Sequence, residues 1–387
     1  MTTMRPLFSA TVSCVLLSAC SAADTDTCRL ADEHLQRCFP GQAPGPIESC
    51  DPALAENLLQ LGCQEIAQGA GKTDWWCTPW TWWLCDGGTG GVTRTLAYSQ
   101  DYPYELVQDS SHLYWTNYNP SADIMKAGKD GTGEAALASG QDRPSSIAVN
   151  DTHVFWIATT GDYTRAIRSV AKTGGAVTTL LDHEGGLYSL AADSTQIYFG
   201  AKDKDGDRGV YRLAIDTTGA KPELLCTNDK VATTFAMDDT YLYFGEMYGK
   251  GALVRVPKTG GACQTLAADE EASSIALHGD HLYYADDEKV VRLKKDGGGT
   301  PEELGSAGSY SAGGSLAVNG THIYWTEYVG DKLWRMPLAG GEPETFASEN
   351  APKSLVLDAD ALYWLDVGRF WGKDYVDNSG SVKKKSI

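Results

Sequence analysis

Beyond about residue 90 the chain settles into short apolar and aromatic runs, each entered from a polar turn, and one phrase keeps returning. SHLYWTN stands at 111–117, THVFWIA at 152–158 and THIYWTE at 321–327, each reading as a β-strand with turn chemistry just before it. Anchored on its aromatic pair, the phrase recurs at Tyr114-Trp115, Phe155-Trp156, Tyr198-Phe199, Tyr243-Phe244, Tyr283-Tyr284, Tyr324-Trp325 and Tyr363-Trp364, spaced 39 to 45 residues apart. A repeat of that length built from strands predicts a β-propeller, with one four-stranded blade per unit.

Each unit follows one order. A short strand of small residues comes first, as in SSIAV at 145–149, and suits the crowded inner position of a ring. The polar turn and the aromatic strand follow. A third strand such as AIRSVAK or ALVRVPK comes next, then a Gly-Gly or Asp-Gly turn and an outer strand such as VTTLL or CQTLA. The chain stops after the third strand of its last unit, SGSVKKKSI, while GGVTRTLA at 90–97 matches the outer-strand phrase GGAVTTLL. The expectation is an all-β, seven-bladed β-propeller over 87–387, closed by an N-terminal outer strand that removes the exposed edge.

The first 86 residues read differently. Arg5 followed by the apolar run from Leu7 to Leu17 is too short for a membrane span and predicts an export signal over 1–19. The LSAC ending resembles the lipobox of bacterial lipoproteins, which implies lipidation of Cys20, with 20–27 as a tether. A plain secretory signal cut near Ala22 is the alternative. Residues 28–86 predict a small, partly helical domain. DPALAENLLQLGCQEIA opens with a cap and a proline at the first helical position, and Cys28, Cys38, Cys50, Cys63, Cys77 and Cys85 form an even set that predicts three disulfides of unknown pairing. The run DWWCTPWTWWLC ends that domain, either as a plug that docks it or as an aromatic contact surface. Cys226 and Cys263 lie at opposite ends of their predicted strands, a placement that argues against their pairing.

Charge narrows the partners. The formal net charge is −19, and one unit more negative without residues 1–19, whose single charge is Arg5. A nucleic-acid partner would need a basic footprint, so none is expected, and membrane attachment would come through the lipid anchor alone. No nucleophile, zinc or phosphate-loop signature occurs, and no cofactor or metal is expected. Asp203, Asp205 and Asp207 alternate in DKDGD, but the glycine and the twelfth position do not fit an EF-hand, so a solvated turn is expected. His112, His153, His281 and His322 repeat at the start of the aromatic strand and predict a hydrogen bond to the turn. A basic residue in each third strand, from Lys126 and Arg168 to Arg335 and Lys383, predicts a partly buried ion pair with an acidic residue of the adjacent aromatic strand, for instance Glu327 or Asp366, or a hydrogen bond to backbone.

Tyr324-Trp325-Thr326-Glu327, followed by Arg335 and a glycine turn, resembles the Tyr-Trp-Thr-Asp repeats of low-density-lipoprotein-receptor-type propellers, and uncharacterised bacterial exported propellers carry similar repeats. The resemblance covers about 90–387 and departs in blade number, six in those receptors. It implies a binding surface without catalysis. The functional expectation is an envelope-anchored monomer, exported to a bacterial outer membrane, whose propeller binds a protein or a glycan. The alternative is a lyase or hydrolase at the channel mouth, which would gather a histidine and carboxylates on one face. Candidate contact residues are Arg369, Phe370, Trp371, Lys373 and Tyr375 on the long loop of the last unit. Arg143, Tyr188, Tyr310 and Lys353, on the loops entering the inner strands, are candidates for the channel rim.

Overall fold

The computed structural model describes residues 93–387 apart from 216–218, 229, 248–250, 286–288, 307–313, 369, 372, 373, 376 and 377. The export signal, Cys20, the cysteine-rich domain with its predicted helix and six cysteines, and the tryptophan run all lie outside the described residues. So do Tyr310, Arg369, Lys373 and the side chains of Phe370, Trp371 and Tyr375.

The described chain is all-β. It begins with β1 (Arg94–Gln100) and continues into the antiparallel sheet β2 (Pro103–Gln108), β3 (His112–Asn117), β4 (Ala122–Gly128) and β5 (Ala135–Gln141). Then come β6 (Ser145–Val149), β7 (His153–Thr159), β8 (Thr164–Ala171), β9 (Thr178–Ala192), β10 (Gln196–Asp203), β11 (Arg208–Ala214) and β12 (Glu223–Thr227), all in one sheet. Three four-stranded sheets follow. They are β13 (Val231–Met237) with β14 (Tyr241–Met247), β15 (Ala252–Pro257) and β16 (Gln264–Ala268); β17 (Ser274–His278) with β18 (His281–Ala285), β19 (Lys289–Lys294) and β20 (Glu302–Ser306); and β21 (Leu316–Val318) with β22 (His322–Glu327), β23 (Lys332–Pro337) and β24 (Glu344–Ser348). The last sheet joins the two ends of the described chain: β25 (Pro352–Leu357), β26 (Ala361–Asp366), β29 (Gly380–Ser386) and, outermost, β1. A separate hairpin, β27 (Phe370–Trp371) and β28 (Asp374–Tyr375), interrupts it.

This corrects the expectation of seven separate four-stranded blades. Among the described residues there are five four-stranded blades, one seven-stranded sheet and no helix. The cause is β9. It runs for 15 residues, pairing with β8 through its first half and with β10 through its second. Elsewhere the passage from outer to inner strand is broken by a turn with a residue at positive φ, such as Arg143 (φ 43°), Asp269 (φ 61°) or Ala351 (φ 48°). Here Gly185 takes φ 134° inside the strand and lies against the Lys202 and Asp203 backbone, where a Cβ would collide. The strand therefore bends without breaking.

The aromatic pairs explain the packing. Neighbouring residues of a strand point to opposite faces of the sheet. Tyr114 accordingly packs forward with Trp156, and Trp115 packs backward with Tyr363. The same relay continues through Phe155 with Phe199, Tyr198 with Phe244, Tyr243 with Tyr284, Tyr283 with Trp325 and Tyr324 with Trp364. Each pair thus sews its strands to the neighbours on both sides, and the Tyr363–Trp115 contact returns to the start. The inner strands touch in the order β25, β2, β6, β9, β13, β17, β21 and back to β25, which closes the ring.

A polar latch repeats between units. In the turn before β3, Asp109 Oδ1 accepts the backbone N–H groups of Ser111 and His112, while Oδ2 accepts the Tyr114 hydroxyl at 2.8 Å. Lys172, from the next sheet, places its ammonium 2.6 Å from the same oxygen. Lys258 meets Asp193 at 2.8 Å, Lys295 meets Asp238 at 3.3 Å and Lys129 meets Asp358 at 2.9 Å. Partial burial opposes ionisation of Asp109 and Asp193, but the lysine, the backbone N–H groups and the tyrosine hydroxyl outweigh it. Both carboxyls are held well below the usual carboxylate range.

The third-strand basic residues meet the expectation in part: Lys126, Arg212 and Arg255 donate to the backbone carbonyls of Lys172, Lys258 and Lys295 at 2.6 to 3.0 Å. Arg212, Arg292 and Arg335 reach outward to the fourth strand, pairing with Glu223, Glu302 and Glu344 at 2.8, 2.7 and 2.6 Å. Only the long arm of arginine has to turn; the adjacent Glu327 is buried and takes the Trp334 indole N–H instead. In the closing sheet Lys383 does sit near Asp366, at 3.9 Å, with Glu349 nearer at 3.4 Å. Three of the repeated histidines bond their own turn, His112 to Ser111, His153 to Thr152 and His322 to Thr321, at 2.8 to 2.9 Å.

Cys226 and Cys263 are paired, an outcome the sequence left open without favouring it. Cys226 lies in β12 and Cys263 just precedes β16, in the neighbouring sheet. The Gly261 N–H donates to the Leu225 carbonyl, which draws the β15–β16 turn alongside β12 and brings the two cysteines together.

Candidate functional site

The inner strands carry a hidden column. Ten residues before the second aromatic of each pair stand Glu105, Ser146, Ser189, Thr234, Ser274, Ser315 and Ser354. The hydroxyls knit adjoining strands. Ser354 Oγ accepts the Leu106 N–H, Ser146 Oγ the Leu190 N–H and Ser274 Oγ the Leu316 N–H, at 2.9 to 3.0 Å. Glu105 stands where the others carry a hydroxyl. Its carboxylate accepts the Ile147 N–H, the same bond one strand on, and also meets the Ser146 hydroxyl.

The column one residue earlier reads Tyr104, Ser145, Tyr188, Thr233, Ser273, Gly314 and Lys353. Tyr104 and Lys353 are the second residues of β2 and β25, so they sit where these strands enter the ring. β-Bulges at this level in β2, β6, β13 and β25 re-aim the side chains. Because β25 and β2 are neighbours, Lys353 Nζ lies over the Tyr104 ring, 3.5 Å from its centroid. Tyr104 also stacks on Tyr118 at 4.8 Å, and Tyr118 meets Tyr102 at 6.1 Å. The Tyr118 N–H donates to the Tyr102 carbonyl at 2.8 Å, tying the β1–β2 turn to the end of β3.

Enclosure dominates the electrostatics. Burial pushes the Glu105 carboxyl up to about 7, against the opposing pull of Lys353, the Ile147 N–H and the Ser146 hydroxyl. Burial likewise brings the Lys353 ammonium down to about 8, with the Glu105 charge opposing. The Tyr104 phenol is pushed up to about 12, by burial first and by Glu105 second, so it stays protonated near neutrality. A carboxyl and an amine that both change charge near neutral pH, beside a stack of phenols, make this the strongest candidate site in the described chain.

The predicted rim residues divide. Lys353 belongs to the cluster. Tyr188 occupies the matching column but opens on another cleft, lined also by Tyr163, Arg165, Lys202 and Asp203. Arg143 is exposed, and among the described residues its side chain pairs with that of the adjacent Asp142, at 3.1 Å. The sequence reading missed Tyr102, Tyr104, Glu105 and Tyr118. The signal was present: one carboxylate in a column of hydroxyls. At the DKDGD turn, Asp203 Oδ1 accepts the Asp205 and Asp207 N–H groups, both at 2.9 Å. Among the described residues no group of three or more His, Cys, Asp or Glu side chains is placed to hold a metal ion.

No protein-family model matches the sequence, and no curated protein matches it. Solved structures do. Virginiamycin B lyase from Staphylococcus aureus aligns with a TM-score of 0.54 at 14% identity, over 76% of this chain and 99% of that one. The computationally designed Ika8 protein aligns at 0.52 and 14%, over 76% and 98%. A chain of the nidogen/laminin complex gives 0.47 at 16% identity, over 61% and 93%. At such identities likeness speaks to fold alone, and the first two matches, together with the strand order, establish that the described part of this chain is a β-propeller.

Proposed function

We propose that the protein is an exported, non-catalytic binding module that holds a protein or glycan partner at the entry end of its ring, around Tyr104, Glu105 and Lys353. One observation carries the reading: the inner-strand column is hydroxyl everywhere except at Glu105, where a half-buried carboxylate stands at a cost that serine would avoid. Tyr102 and Tyr118 keep partial exposure there, and tyrosine gives contact area with little loss of side-chain freedom. The test is capture of binding partners by the purified chain, with Tyr104→Ala and Lys353→Met against the native protein. Unchanged capture by both variants would refute the site.

A second reading has its own support. A carboxyl at about 7 beside an amine at about 8 suits acid–base chemistry, and a channel-mouth enzyme would use it. The histidines do not join that site; three of them bond their own turns. Export and anchoring through Cys20 form part of the proposal, and loss of lipid labelling in Cys20→Ser would support them.

A further inference from the structure

We propose that Lys353 is a nucleophilic amine that captures a carbonyl-bearing ligand, an aldehyde or ketone, as a reversible imine, with Glu105 handling the proton. The proposal rests on the reading of the ring's entry end as the binding site.

The geometry separates Lys353 from the lysines of the latches and ring edge, although Lys332 also lies over an aromatic ring, that of Trp334, at 4.9 Å. Lys129, Lys172, Lys258 and Lys295 each sit in an ion pair, and Lys126, Lys384 and Lys385 donate to backbone carbonyls. Among the described residues, no oxygen accepts a hydrogen bond from Lys353 Nζ, and its contact is the Tyr104 ring face at 3.5 Å. Glu105 is near enough to act on the ammonium electrostatically, yet no ion pair joins them. Lys353 is carried on a strand and is half-buried as a residue, so it is not sealed within the core. Desolvation makes its neutral form available near neutral pH, the condition that activates lysine toward carbonyl groups. The titratable groups facing it are Glu105 and Tyr104 from β2, with Tyr118 and Tyr102 behind them.

The chemistry balances without an outside oxidant or reductant. The neutral amine's lone pair forms a C–N bond to the carbonyl carbon, and the C=O π pair moves to oxygen. A proton passes from nitrogen to that oxygen through Glu105, giving a carbinolamine. Protonated Glu105 then donates to the hydroxyl, the nitrogen lone pair expels it as water, and the iminium so formed returns its N–H proton to the Glu105 carboxylate, leaving an imine. Water reverses the sequence.

The test uses the purified full chain with glycolaldehyde and sodium cyanoborohydride, which reduces an imine to a stable secondary amine. Adducts are mapped by mass spectrometry, with exposed Lys221 as the internal comparison. At pH 7.5 an amine titrating at about 8 has about 240 times more neutral form than one at the ordinary 10.5. Its lower basicity takes back about 13-fold in nucleophilicity, on the scale known for thiols. Lys353 should therefore label about 20-fold faster than Lys221, at a rate that rises with pH and levels above about 8. In Glu105→Gln the plateau rate should fall. Labelling of Lys353 no faster than Lys221 overturns the imine. If partner capture still depends on Tyr104 and Lys353 in that case, the binding site stands and only the covalent step is lost. If capture is also indifferent to both residues, both readings fall.

Discussion

Replacing Glu105 by glutamine keeps the side chain's shape and its acceptor for the Ile147 N–H while removing the charge. The wild-type carboxyl titrates at about 7 in the fold and near 4.5 in the unfolded chain. Between those values the folded state binds more protons than the unfolded state, so the native protein loses stability as pH rises and levels off above 7. The full displacement corresponds to about 3 kcal/mol. Glutamine carries no such loss. Removing the carboxylate also leaves the Lys353 ammonium without its countercharge, which works the other way, so a net change of about 2 kcal/mol is expected. Urea denaturation followed by tryptophan fluorescence, run on both proteins from pH 4.5 to 8, reads it directly, because the other carboxylates titrate alike in both. Glutamine should gain about 2 kcal/mol on the native protein across that range. A difference that stays constant with pH, or moves in favour of glutamate, would show that Glu105 is not enclosed as described.

Other expectations follow from the latches and the ring. Asp193→Asn should cost about 1–3 kcal/mol at pH 7, since Lys258 and the Tyr198 hydroxyl lose an ionised partner. Because that carboxyl is depressed in the fold, the cost should shrink as pH falls below about 4, and a cost as large at pH 3 would contradict the latch. Changing both Cys226 and Cys263 to serine opens a loop closed across 37 residues and should cost about 4 kcal/mol in chemical denaturation; no change would deny that the bond contributes to stability. Ser146→Ala strands the Leu190 N–H and removes a partner of Glu105, so a loss of about 1–3 kcal/mol is expected, and a loss near zero would mean that another group takes over the bond.

The propeller was legible because its signal is periodic. An aromatic pair every forty or so residues can only serve a structure that repeats, and strand alternation explains why the pair must be two residues wide: Tyr114 and Trp115 face different neighbours. The joined sheet was less legible, since it depends on one glycine, Gly185, taking a conformation that keeps β9 continuous where other units turn. Side-chain reach divided the reading of the basic column: the backbone bonds expected for it are present at Lys126, Arg212 and Arg255, while the acidic partner expected for Arg335 is not the one it takes. Arg335 was matched to the nearest acidic residue in sequence register, but the arm extends outward to Glu344, and the latch carboxylates are met by lysines from the following unit. Of the rim residues, Lys353 was chosen for its loop position. Its partners on β2 were not, because they come from the far end of the described chain and meet it only through ring closure.

The most direct measurement is site-specific capture. The native chain, a Tyr104→Ala/Lys353→Met variant and a variant with Arg369, Phe370, Trp371 and Tyr375 changed to alanine would be crosslinked in intact envelopes of the producing cells. Partners would be compared after purification, with each variant's fold checked by its denaturation curve. Binding at the entry end predicts a partner retained by the native chain and the loop variant and lost from the Tyr104/Lys353 variant. A partner retained by the Tyr104/Lys353 variant and lost from the loop variant would contradict it and move recognition to the last unit's loop.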